Sequence, residues 1–158
     1  MRMALQEAGR AFEAGEVPVG AVVVDSEGKV LGRGHNQVET LQDPTAHAEI
    51  LAIGAAANAT GSWRLEGVRI YSTLEPCHMC AGAIVLARLE RLVFGAFDPK
   101  AGACGSLRNL VQDERLNHQV SITAPFLGEE CGELLRRFFR RLREARDAER
   151  RWVADSRN

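Results

Sequence analysis

Short β-branched runs alternate with helical segments along almost the whole chain, and this alternation constrains the fold more than any other feature. Residues 19–24 (VGAVVV) read as a buried strand. Asp25-Ser26-Glu27-Gly28 reads as a turn and residues 30–35 as a returning strand, so the two form a hairpin. Three further strands are predicted at residues 68–73, 91–94 and 120–123. Leu5, Ala8 and Phe12 share a helical face, with Gly15 as the stop, so residues 2–14 are predicted as a helix. After a polar loop over 36–44, Asp43-Pro44 should cap and open a second helix over 45–59, stopped near Gly61. Pro76 opens a third, running through Cys77, Cys80, Ile84 and Leu86. The last starts near Glu129 and carries an apolar stripe of Leu134, Leu135, Phe138, Phe139 and Leu142. Strands alternating with helices imply an α/β sheet covered on both faces. With 158 residues and no repeat or linker, the chain is expected to form one domain over 1–150 and a frayed tail over 151–158.

The residues that carry chemistry sit at two of the predicted helix starts: His47-Ala48-Glu49, and Pro76-Cys77-His78-Met79-Cys80. Cysteines three apart share one helix face and can grip one ion. Two thiolates and a neutral imidazole from His47 would give Zn²⁺ three protein ligands and leave a fourth tetrahedral position for water, the mark of a catalytic site rather than a closed structural one. Two helix N-termini aimed at the cluster would favour the thiolate form. Glu49 lies two residues beyond His47, about 200° around an ideal helix, so it is not expected to chelate beside it. Its expected task is general acid–base work on the water.

Each part has a plainer alternative. A lone Cys-x-x-Cys can be a redox pair, and a lone buried histidine is usually structural. The cysteine pair can also be half of a four-ligand structural zinc, with Cys104, Cys131, His78 or His118 as the spare ligands. None of these has ligand spacing relative to the pair, and a redox pair needs no upstream His-x-Glu. The whole signature is one already known from zinc nucleobase deaminases, tRNA-acting ones among them.

Charge is distributed unevenly. The net charge is −1, yet residues 136–158 hold nine arginines against four acids, a local balance of +5. This end can meet phosphates or can simply be a solvated helix face laced with ion pairs. No apolar run approaches the roughly 18 to 20 residues of a membrane span. The N-terminus enters an amphipathic helix instead of a signal-type apolar region, so no membrane and a cytoplasmic address are expected. In that reducing setting the four cysteines are not expected to form disulfides.

Four segments carry a family resemblance: Glu16-Val17-Pro18-Val19-Gly20-Ala21, residues 43–50 (DPTAHAEI), residues 73–83 (TLEPCHMCAGA) and residues 93–106 (VFGAFDPKAGACGS). Together they make the chain, from about Met3 to Arg141, similar to the bacterial tRNA-specific adenosine deaminases of the zinc-dependent cytidine/deoxycytidylate deaminase superfamily. The first three segments are shared across the superfamily, and the fourth looks like the tRNA enzymes. The resemblance implies a three-layer αβα sandwich around a mixed five-stranded sheet, cytidine deaminase-like, working as a homodimer with one Zn²⁺ per subunit. It implies hydrolysis of adenosine to inosine at the wobble position of a tRNA anticodon stem-loop. His47, Cys77 and Cys80 are then the zinc ligands and Glu49 the proton shuttle.

By the same resemblance Asn36 reads the base, Asp98 lies beside the flipped nucleotide, and Asn117, His118, Phe138 and Phe139 stand near the anticodon loop. Without it, Asn36 would be a turn residue, Asp98 a turn cap, and the two phenylalanines core. The chain departs from the family pattern in three places. Phe97 stands where a basic residue is common and Cys104 where a small one is. The N-terminal helix also starts early, as it would if the natural chain began upstream. Two rival readings remain, a deaminase of free bases or nucleosides and a non-catalytic zinc- or RNA-binding module. The 93–106 segment and the arginine-rich end speak against the first, Glu49 against the second.

Overall fold

The computed structural model describes residues 1–155, the last two by backbone alone. Five strands form one sheet in the order β2-β1-β3-β4-β5: β1 Gly20–Val24, β2 Val30–His35, β3 Arg69–Leu74, β4 Arg91–Ala96 and β5 Ser121–Thr123. β1 is antiparallel to both β2 and β3, while β3, β4 and β5 run parallel, so the sheet is mixed as expected. The helices are α1 Arg2–Glu13, the short α2 Val38–Leu41, α3 Ala48–Thr60, α4 His78–Leu86 and α5 Gly128–Asp155.

Alternation along the strands decides which helix lies on which face. Ala21, Val23, Ile70, Leu92 and Phe94 point to one side and pack with Ala48, Ala52 and Ala56 of α3 and Ala81, Ile84 and Val85 of α4. Val22 and Val24 point to the other and meet Ala4 of α1, with Met3, Val30 and Tyr71 at the margin. α5 joins α1 on that second face, where Cys131 sits directly over Gly95 of β4 and Phe138 meets Phe12 edge-on at 5.7 Å. This is the three-layer sandwich.

α3 lies unusually close to β2. A Cβ on Gly34 would fall 2.5 Å from the Ala48 carbonyl oxygen, and one on Gly32 would fall 2.3 Å from that of Ala52. With alanines on the helix and glycines on the strand, backbone meets backbone. The contact matters beyond packing because Ala48 is the first residue of α3, next to His47.

Several boundaries differ from expectation. The helix predicted over 45–59 starts at Ala48, because Asp43 does not cap it: its Oδ1 accepts from Thr45 N at 2.8 Å and Thr45 Oγ1 at 2.7 Å, closing a local turn. His47 is left extended (φ −73°, ψ 150°) as the helix cap. Part of the predicted polar loop forms α2. α4 starts at His78 rather than Pro76, with Cys77 at its cap. Of the stripe on α5 only Phe138 is fully buried; Leu134 and Leu135 are half-buried, and Phe139 (42% exposed) and Leu142 (37%) lie outside, Phe139 because one residue's turn of the helix carries it round to the exposed side. α5 continues to Asp155, and the expected frayed tail falls partly on residues 156–158, outside the described residues. Among the described residues no helix is long and apolar enough to cross a membrane.

Replacing Gly34 by alanine should force α3 off β2, at roughly 1–3 kcal/mol for overpacking a filled interface. For a domain of this size that is a fall of roughly 2–12 °C in Tm. A calorimetric Tm equal to that of the parent would refute the backbone-on-backbone contact.

Candidate functional site

β3 is followed directly by α4, and α3 returns antiparallel to β3, so both helices begin at the carboxyl end of that strand. His47 caps α3 and Cys77 caps α4, which brings the two N-termini to one point, with Cys80 in the first turn of α4. His47 Nδ1 lies 3.6 Å from Cys77 Sγ and 3.4 Å from Cys80 Sγ, and the three ligand atoms lie within 4.8 Å of one another. An ion holding sulfur at about 2.3 Å and nitrogen at about 2.05 Å in tetrahedral directions sets a nitrogen–sulfur separation of about 3.6 Å. Both nitrogen–sulfur separations therefore fit such an ion.

The protonation of the cluster points the same way. A hydrogen bond from the Cys80 thiol, helped by His47, pushes Cys77 down to about 3 against the opposing effect of burial. The same bond and burial push Cys80 up. His47 is raised, chiefly by its hydrogen bond to Cys77. A divalent cation among them would displace the proton and take over its role.

His47 and Cys77 of the cluster line a cavity of about 500 Å³, a size suited to a small ligand, together with Glu49, Asn36, Asp98 and Phe138 among others. Glu49 is 3% exposed; its Oε1 accepts from Ser72 Oγ at 3.3 Å, and burial raises its carboxyl above the usual range. Asn36, at the end of β2, is 8% exposed and donates through Nδ2 to Glu16 at 3.3 Å. Asp98 Oδ1 accepts from the backbone N–H of Lys100 and Ala101, so the residue does cap a turn while also facing the cavity.

Phe138 reaches the cavity wall, but Phe139 lies beside it on the exposed side of α5. Asn117 and His118 lie apart from the cavity. The Asn117 carbonyl accepts from Arg88, His118 Nε2 lies 2.7 Å from the Leu89 carbonyl oxygen, and His118 borders a separate hollow with Glu66, Arg88 and Glu90.

Two buried carboxylates on the cavity wall were not among the sequence candidates. Glu16 accepts from Glu39 N (3.2 Å), Thr40 N (2.7 Å) and Asn36 Nδ2, tying α2 to the loop after α1. Glu75 accepts from the backbone N–H of Asp98 (3.0 Å), Cys104 (3.0 Å) and Ser106 (2.8 Å) and from the Ser106 hydroxyl, so it holds the whole 98–106 loop. Burial alone would raise both carboxyls; the donated hydrogen bonds outweigh it and hold both below the usual range. Gly102 serves the same clamp, since a Cβ there would fall 2.3 Å from the Glu75 carboxyl. An isolated acidic residue carries no spacing signal. Only its place inside a family segment could have marked either one.

Comparison with known proteins agrees with this geometry. Residues 1–143 match the MafB19-like deaminase family. The chain is 54% identical over 155 residues to the tRNA-specific adenosine deaminase of Bacillus subtilis (strain 168), covering 98% of this chain and 96% of that one. It is 50% identical over 143 residues to the same-named protein of Aquifex aeolicus (strain VF5), covering 90% and 93%. A solved structure from studies of A-to-I editing by tRNA:A34 deaminases at the wobble position of transfer RNA superposes with a TM-score of 0.82 at 44% identity, over 85% of this chain and 97% of that one.

Removing either sulfur leaves a cysteine and an imidazole, too few to hold a metal against competition. Cys77→Ser and Cys80→Ser should therefore each lose bound metal on desalting. Full metal content by elemental analysis in either variant would rule out the three-residue cluster as the binding site.

Proposed function

The chain belongs to the MafB19-like deaminase family, and we propose that it hydrolyses adenosine to inosine at the wobble position of a tRNA anticodon. The observation that carries this reading is the meeting, at one cavity, of the His47–Cys77–Cys80 cluster with the buried Glu49 carboxyl and the buried Asn36 amide. His47, Cys77 and Cys80 would hold one Zn²⁺ per subunit. Zinc in such a site lowers the pKa of water and so supplies a nucleophile at neutral pH.

The remaining steps belong to the side chains. Glu49 takes a proton from the attacking water and delivers it to the purine ring, then carries the proton of the newly formed hydroxyl to the amine, which departs as ammonia, one residue serving as base and then as acid. Its burial suits that task, because a carboxyl of raised pKa holds a proton more readily than an exposed one. Asn36 offers an amide to the base edge, and Asp98 stands where the adjoining sugar–phosphate would pass. An anticodon loop suits such a cavity, since its bases are already unpaired and enter at little cost.

For the nucleic acid, α5 presents the arginine-rich end on an exposed helix. Arg136 and Arg140 pair with Glu129 and Glu133, whereas among the described residues no ion pair engages Arg143 or Arg146. Phe139, exposed next to Phe138, and Asn117 and His118, outside the cavity, are proposed as outer RNA contacts. The working form is proposed to be a cytoplasmic homodimer, each subunit one deaminase domain over 1–150, a reading that rests on the family.

One assay separates the readings. Ammonia should be released from an anticodon stem-loop and not from free adenosine, guanine or cytidine. Release from a free base alone would make the protein a nucleobase deaminase, and release from none would make it a binding module. Glu49→Ala should keep zinc and fold while losing turnover by a factor on the order of 10² to 10⁴; metal loss in this variant would reassign Glu49. Neutralising Arg140, Arg141, Arg143 and Arg146 together should weaken RNA binding and flatten its salt dependence, each lost phosphate contact reducing the slope by about 0.7 to 0.9. An unchanged slope would leave the helix as a solvated face.

A further inference from the structure

Glu16 is 1% exposed, lies on the cavity wall and touches no member of the metal cluster. Its Oε2 accepts from Asn36 Nδ2 at 3.3 Å, and its remaining hydrogen bonds come from the backbone of Glu39 and Thr40 at the start of α2. An ionised carboxylate only accepts hydrogen bonds, so the amide atom facing it must be nitrogen. A neighbour able to both donate and accept would allow either orientation of the Asn36 amide; this one allows a single orientation.

The orientation matters for recognition. A fixed amide offers the cavity an acceptor and a donor in a set order, matching the donor and acceptor side by side on an adenine edge, whereas guanine presents two acceptors on the corresponding major-groove edge. We propose that Glu16 is a specificity-determining positioning residue, which fixes the Asn36 amide so that the cavity accepts an adenine. The proposal rests on the adenosine deaminase reading above. Backbone donors hold Glu16 in its ionised form, which keeps the lock closed near neutral pH.

Two arms test it, and only one depends on activity. In the first, Glu16→Gln, isosteric but able to donate, should lower kcat/KM on the stem-loop about tenfold, mostly through KM, with zinc content unchanged. In an Asn36→Ala background the same change should cost less than about twofold, because the group it orients is gone. Equal losses in both backgrounds would mean that Glu16 supports the fold alone and would overturn the proposal.

The second arm reads stability. Asn36→Asp sets two carboxylates against each other and should lower Tm more than Asn36→Ala does. Adding Glu16→Gln to Asn36→Asp should recover part of the lost Tm by reversing the polarity of that bond, the recovery being partial because the same oxygen also accepts from Glu39 N–H. An Asn36→Asp variant no less stable than Asn36→Ala, or no recovery in the double variant, would overturn the pairing. An inactive parent enzyme on the stem-loop would strike the functional reading instead, while the melting arm still decides the Glu16–Asn36 lock.

Discussion

The structure depends on the meeting of two helix N-termini at the carboxyl end of one strand. β3 leads straight into α4, and α3 comes back antiparallel to β3, so Cys77 and His47 become caps at the same place. Each cap position leaves backbone N–H groups without helical partners and puts a partial positive charge at the helix start. That environment favours thiolate and, with a cation bound, holds its ligands fixed. The close seating of α3 on Gly32 and Gly34 belongs to the same constraint, because a shift of α3 would carry His47 with it.

Around this point part of the cavity wall consists of loops organised by buried carboxylates. Glu16 gathers α2 and Asn36, and Glu75 gathers the loop from Asp98 to Ser106. In both cases the charge is stabilised by donated hydrogen bonds, from backbone N–H groups and one neighbouring side chain each. No buried side-chain nitrogen or oxygen among the described residues lacks a partner. A polar network so fully satisfied holds its shape.

Much of this was readable from residues alone. The β-branched runs marked all five strands, and His-x-Glu with Pro-Cys-x-x-Cys marked the metal cluster, because both patterns are local and periodic. The start of α3 was misplaced because Asp43 found a nearer partner in Thr45, a competition between cap and turn that propensity does not resolve. Helical spacing alone groups Phe139 with the core stripe, but it does not tell how wide a strip of the helix its neighbours cover. Glu16 and Glu75 are silent for a different reason: their partners, mostly backbone groups, lie up to 31 residues away and leave no local spacing signal.

The central claim is that two cysteines and one histidine hold a zinc ion whose fourth position is open to water. X-ray absorption at the zinc edge of the loaded protein tests it most directly. The account predicts two sulfur neighbours at about 2.3 Å and two nitrogen or oxygen neighbours at about 2.0 to 2.1 Å. A third sulfur, from Cys104 or Cys131, would make the site closed and structural and would contradict it.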